Sequence, residues 1–161
     1  METKRLVHRF RLKKQLVFSF AHGCIWGLFF LIICSCSKEV NNISPVPDVI
    51  VREQLNLNSI EAQPLKFRDG TSVYIKGGIK GIIIYRRTEG NFLAFERQSP
   101  FNMTDSCGRI SVHSSNLYML DSCHNCTFDW QGNPTGGPCR DILKQYQVQY
   151  LNNFTISISN Q

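Results

Sequence analysis

From residue 64 onward the apolar positions fall in short runs with a two-residue rhythm, and turn-forming residues cut each run off. Val73-Tyr74-Ile75 stops at Gly77-Gly78. Gly81 then leads into Ile82-Ile83-Ile84-Tyr85, a continuous, largely β-branched run of the kind a strand buried on both faces requires. Glu89-Gly90-Asn91 turns the chain into Phe92-Leu93-Ala94-Phe95-Glu96. Arg109-Ile110-Ser111-Val112 and Leu117-Tyr118-Met119-Leu120 flank Ser114-Ser115-Asn116, the pattern of a second hairpin. Thr127-Phe128-Asp129 precedes a long turn through Gln131-Gly132-Asn133-Pro134. Residues 146–150 alternate, and Phe154, Ile156 and Ile158 alternate with Thr155 and Ser157 in a last strand. No stretch carries a 3.6-residue period. The pattern predicts an all-β domain of about nine strands at spacings of roughly 8–12 residues. Upstream, Val49, Val51, Leu55 and Leu57 alternate with polar neighbours and offer an edge strand.

The first 35 residues read differently. Lys4, Arg5, Arg9, Arg11, Lys13 and Lys14 precede an apolar run from Cys24 to Cys34, which reads as an export signal rather than a span. The run ends in Ile33-Cys34-Ser35-Cys36-Ser37, which resembles a bacterial lipobox. On that reading residues 1–35 are a lipoprotein signal peptide and Cys36 becomes the lipidated terminus; an uncleaved anchor is the alternative. Residues 36–63, punctuated by Asn41-Asn42, Pro45 and Pro47, are then a lipidated tether with the possible edge strand, and residues 64–161 the β domain. Ser37 after the lipidated cysteine directs the expectation to the outer membrane.

Removing the signal changes the charge argument. The whole chain carries +6, but from Cys36 onward there are 12 Lys+Arg and 11 Asp+Glu, a net +1. No basic stripe remains, so nucleic acid is not an expected partner. The remaining 126 residues suit one domain with a modest core.

Beyond Cys36 come Cys107, Cys123, Cys126 and Cys139. An even count in an exported chain favours disulfides, and four cysteines allow three connectivities. By residue type Cys107, Cys123, His124 and Cys126 are also a candidate zinc set, since Cys123-x-x-Cys126 has a common ligand spacing. Asp121, Asp129 and Asp141 read as turn caps, and Gly77, Gly78 and Gly81 as turn glycines. Ser99, Ser106 and Ser122 sit in no nucleophile motif, so an enzyme is not expected.

Residues 81–158 resemble a Rieske-type iron–sulfur domain. The likeness rests on the aromatic strand Phe92-Leu93-Ala94-Phe95-Glu96, a first ligand loop opening Ser99-Pro100-Phe101, and a hairpin. The second loop, Asp121-Ser122-Cys123-His124-Asn125-Cys126-Thr127-Phe128-Asp129, and the later Gly137-Pro138 complete it. Small cell-envelope lipoproteins of Bacteroidetes with such a domain are similar. The resemblance implies an antiparallel sandwich or barrel with a smaller loop-rich subdomain near residues 97–140. A Rieske centre takes two thiolates and two imidazoles. This chain offers Ser99, Phe101 and Asp121 at three of those positions and a histidine, His124, only at the fourth. The resemblance further implies a Cys107–Cys123 bridge between the loops, which leaves Cys126–Cys139. Phe101 then occupies the space of a cluster, and His124 becomes a partly exposed loop residue. The expected function is a lipid-anchored envelope protein, without a cofactor, whose domain binds or scaffolds an unknown protein partner. The alternative is an electron carrier holding a [2Fe–2S] cluster through non-standard ligands.

Overall fold

The computed structural model describes residues 43–160. The signal peptide expected at 1–35 and the lipidation expected at Cys36 lie outside the described residues. Ten strands and one short helix follow in order: β1 (Arg52–Asn56), α1 (Gln63–Phe67), β2 (Thr71–Ile75), β3 (Ile82–Thr88), β4 (Asn91–Glu96), β5 (Ile110–Val112), β6 (Met119–Asp121), β7 (Cys126–Phe128), β8 (Pro134–Gly136), β9 (Gln145–Asn152) and β10 (Thr155–Ser159). They form two antiparallel sheets, a six-stranded one ordered β1-β10-β9-β4-β3-β2 and a four-stranded one ordered β5-β6-β7-β8. The fold is all-β, and the smaller sheet occupies the loop-rich subdomain. No helix among the described residues is long and apolar enough to cross a membrane.

The isoleucine run shows how the two sheets share a wall. Successive side chains of a strand point to opposite faces. Ile82 and Ile84 therefore enter one core with Val51, Leu55, Leu65, Val73, Ala94, Ile156 and Ile158. Ile83 enters the other with Phe95, Ile110, Met119, Phe128 and Leu143. Pairing of Ile82 with Glu96, Ile83 with Phe95 and Ile84 with Ala94 keeps β4 in step with that division. Burying each isoleucine contributes roughly 1.5–3 kcal/mol. A polar residue at 82, 83 or 84 would disrupt one core or the other.

The edge strand exists, since β1 pairs with β10 from Arg52–Ser159 to Asn56–Thr155. Val46 and Val51 are buried as well, so packing extends upstream of residue 64. Two expectations change. Residues 63–67 form a helix of a single turn, too short for a period to register, with proline in its first turn and Leu65 buried. Finally, Pro134–Gly136 is a strand rather than part of a long turn, because Thr127 pairs with Gly136 and Phe128 with Pro134.

Glu96 ends β4 and fastens the β2–β3 connection. Its fully buried carboxylate accepts hydrogen bonds from the amides of Ile79 (2.8 Å), Lys80 (2.9 Å) and Gln98 (2.8 Å) and from the Tyr146 hydroxyl (2.7 Å). Four donors offset much of the cost of burying a charge. Gly78 makes the approach possible: its φ is +61°, and a Cβ there would stand 2.0 Å from Glu96 Oε2.

Candidate functional site

Two loops converge at one end of the small sheet. The first, residues 97–109, joins β4 to β5; the second, residues 122–125, joins β6 to β7 across the Asp121–Cys126 pair.

The first loop is held from outside and from within. Lys80, placed by Glu96, extends its Nζ to the carbonyls of Asp105 (3.1 Å), Ser106 (3.2 Å) and Gly108 (2.7 Å). Inside the loop, Asn102 adopts a left-handed φ of 44° and donates through Nδ2 to Asp105 Oδ2 at 2.7 Å. Ser99 is fully buried, and its Oγ accepts from the Phe101 amide at 3.3 Å. Gly108 lets the loops meet, because a Cβ there would lie 3.1 Å from His124 Cε1.

The second loop turns on Asp121, which is fully buried. Its Oδ1 accepts from the Cys123 amide at 3.0 Å, a turn-forming pattern typical of aspartate. Its Oδ2 accepts from His124 Nδ1 at 2.7 Å. The other ring nitrogen, Nε2, donates to Asp105 Oδ2 of the first loop at 3.0 Å. Both partners are acceptors when ionised, so satisfying both requires a proton on each ring nitrogen. The hydrogen bond to Asp121, then that to Asp105, pushes the imidazole up from its ordinary 6.5, against the opposing effect of burial. Phe101 meets the ring edge-on at a centroid distance of 5.1 Å.

Sulfur closes the arrangement. Cys107 and Cys123 join the two loops, with Cα atoms 5.9 Å apart, and both residues are exposed. Cys126 and Cys139 pair with a Cα separation of 5.8 Å and are fully buried in the second core. This is one of the three possible connectivities and the one the resemblance implies.

Ser99, Phe101, Asp121 and His124 thus stand together at one tip. His124 is a partly exposed loop histidine, as expected, and its side chain is bound on both sides. One expectation needs correction. Cys126 does not join the candidate zinc set, because its sulfur is committed to Cys139 and lies 3.7 Å from the His124 carbonyl. Ligand atoms of Cys107, Cys123 and His124 alone lie within 4.8 Å of one another among the described residues. Sequence reasoning missed Asp105, Lys80 and Glu96. An acidic residue two positions before a loop cysteine was the available signal for Asp105. Asp129 is a turn cap as expected, accepting from the amides of Gln131 (2.9 Å) and Asn133 (2.8 Å).

No protein-family model matches this chain, and no curated protein matches it by sequence. Among solved structures, the ferredoxin of carbazole 1,9a-dioxygenase from Nocardioides aromaticivorans IC177 aligns with a TM-score of 0.45 at 17% identity. The alignment covers 71% of this chain and 100% of that one. A likeness at this level describes the course of the chain and says nothing of what this one binds.

Proposed function

We propose that this chain is a lipid-anchored cell-envelope protein whose Rieske-like domain has lost its cluster and serves a binding or structural role. The donor set supports the reading. A serine hydroxyl is a far poorer iron ligand than a thiolate, a phenylalanine ring has no lone pair to give, and Asp121 is a hard oxygen donor already engaged with Cys123 and His124. One observation carries the reading: both His124 nitrogens face carboxylates, Asp121 at 2.7 Å and Asp105 at 3.0 Å, where a ligating imidazole would keep one nitrogen for iron. The residues do not fit a Rieske centre.

The anchor reading is supported by the basic segment, the apolar run and Ser35-Cys36-Ser37. It places the domain at the outer membrane, with the lipid as its membrane contact and an undefined protein as its partner. We propose no catalysed reaction.

Iron and acid-labile sulfide measured on the purified chain test the reading. A colourless protein with neither is expected. Stoichiometric iron and sulfide, with an EPR signal on reduction, would establish the [2Fe–2S] carrier with unusual ligands instead. Cys36→Ala should shift the protein from the membrane to the soluble fraction, and unchanged membrane association would refute the lipid anchor.

A further inference from the structure

The two disulfides differ in a way that gives the tip a second state. Cys126–Cys139 is sealed in the core, whereas Cys107–Cys123 lies exposed, with Cys123 Sγ 3.8 Å from His124 Nε2. Access of the attacking thiol governs disulfide exchange, so an external dithiol meets the Cys107–Cys123 pair first.

We propose that reduction of Cys107–Cys123 converts this tip into a zinc site formed by Cys107 Sγ, Cys123 Sγ and His124 Nε2.

Three observations carry the inference. The ligand atoms already lie within 4.8 Å of one another, so small side-chain rotations bring them round one ion. Two sulfurs and one imidazole nitrogen are a donor set that suits Zn2+, with the fourth position left for water. Asp121 stands where a supporting carboxylate is needed. It is fully buried and holds Nδ1 at 2.7 Å, which leaves Nε2, bound to Asp105 at 3.0 Å in the oxidised chain and 3.8 Å from Cys123 Sγ, as the nitrogen open to a metal.

Restraints other than the disulfide also hold the first loop. Lys80 holds the carbonyls at 105, 106 and 108 on either side of Cys107, and Asn102 braces Asp105. Both restraints are independent of the sulfur–sulfur bond.

The step balances. A dithiol of a thiol–disulfide exchange protein attacks one sulfur, a mixed disulfide forms, and its second thiol resolves it. Two electrons pass to the Cys107–Cys123 pair, and the partner leaves as a disulfide. Zn2+ then displaces the two thiol protons and the proton on Nε2, which frees Nε2 from Asp105. Exchange with the disulfide form of such a partner, which takes up the two electrons, would re-form the Cys107–Cys123 bond and expel the ion.

Co2+ titration of the purified full chain in detergent, before and after anaerobic reduction, reads this directly. The reduced chain should bind one equivalent of Co2+ with a sulfur-to-cobalt charge-transfer band that Zn2+ abolishes. The oxidised chain should show no such band. Cys107→Ser with Cys123→Ser should remove it although the other cysteines remain. Asp121→Asn, which keeps both thiols, should weaken binding roughly 10–100-fold. No band after reduction, an undiminished band in the double-serine variant, or unweakened binding in Asp121→Asn would each overturn the proposal. Iron and sulfide in the oxidised chain would refute the functional reading above, whereas the zinc inference stands or falls on the reduced chain.

Discussion

The Tyr146 hydroxyl donates a hydrogen bond to Glu96 Oε2 at 2.7 Å, in a buried contact between residues 50 apart in the chain. Burial first, and the hydrogen bond to Glu96 second, push the phenol well above its ordinary 10.0. The contact is the inner end of a line that runs from Glu96 through the Lys80 backbone to the tip. Removing the donor leaves a buried carboxylate with three backbone partners. Tyr146→Phe should therefore lower stability by about 1.5–3 kcal/mol in urea unfolding. Glu96→Ala should cost more, because it removes the partner of the buried Gln98 amide and of the part-buried Ile79 and Lys80 amides. Equal midpoints for wild type and Tyr146→Phe would mean the contact contributes nothing.

Lys80 carries that line to the first loop. Lys80→Met keeps most of the apolar stem and removes the charge that three carbonyls share. Expected is a modest loss of stability, about 1–3 kcal/mol, together with faster hydrogen exchange at the Ser99 and Gly108 amides. Exchange unchanged at those amides would show that the loop holds itself.

The two bridges should differ in weight. Cys126–Cys139 closes a 13-residue separation and fills part of the second core. Replacing both by alanine should cost about 2–4 kcal/mol for the cross-link, plus the packing of two buried sulfurs. Cys107→Ser with Cys123→Ser removes only the exposed cross-link, whose loops Lys80 and His124 still hold. Thermal unfolding should rank the core pair as the costlier loss, and the reverse ranking would contradict this division.

Stability should depend on pH through His124. Its folded pKa is raised above 6.5, so the ionised ring stabilises fully below pH 6.5. That contribution is lost as pH rises through the folded value. Wild type should lose urea resistance as pH rises from 6.5 through the raised folded value, and His124→Gln should lose less over the same rise. Parallel curves for the two proteins would count against an ionised bridge.

The sequence carried the large features because they rest on local pattern. Ile82 to Tyr85 read as a strand buried on both faces, and it became the wall between two cores. The hairpin at Glu89-Gly90 was equally legible, whereas the convergence of the Ser99 and His124 loops was what the Rieske resemblance implied. Glu96 was not, because a carboxylate ending an amphipathic strand reads as solvated; only the returning 77–81 loop and Tyr146 bury it. Asp105 escaped for a similar reason. Its partner His124 is 19 residues away, and nothing local pairs them. The helix at 63–67 and the strand at 134–136 were too short for periodicity to distinguish from turns.

His124 bridges Asp121 and Asp105, and an ionised ring satisfies both carboxylates. Long-range nitrogen–proton NMR correlation on the oxidised chain below pH 6.5 reads both ring nitrogens of that residue. Two protonated nitrogens with sharp signals are the expected result. An unprotonated Nε2, or a ring signal broadened by bound iron, would contradict it.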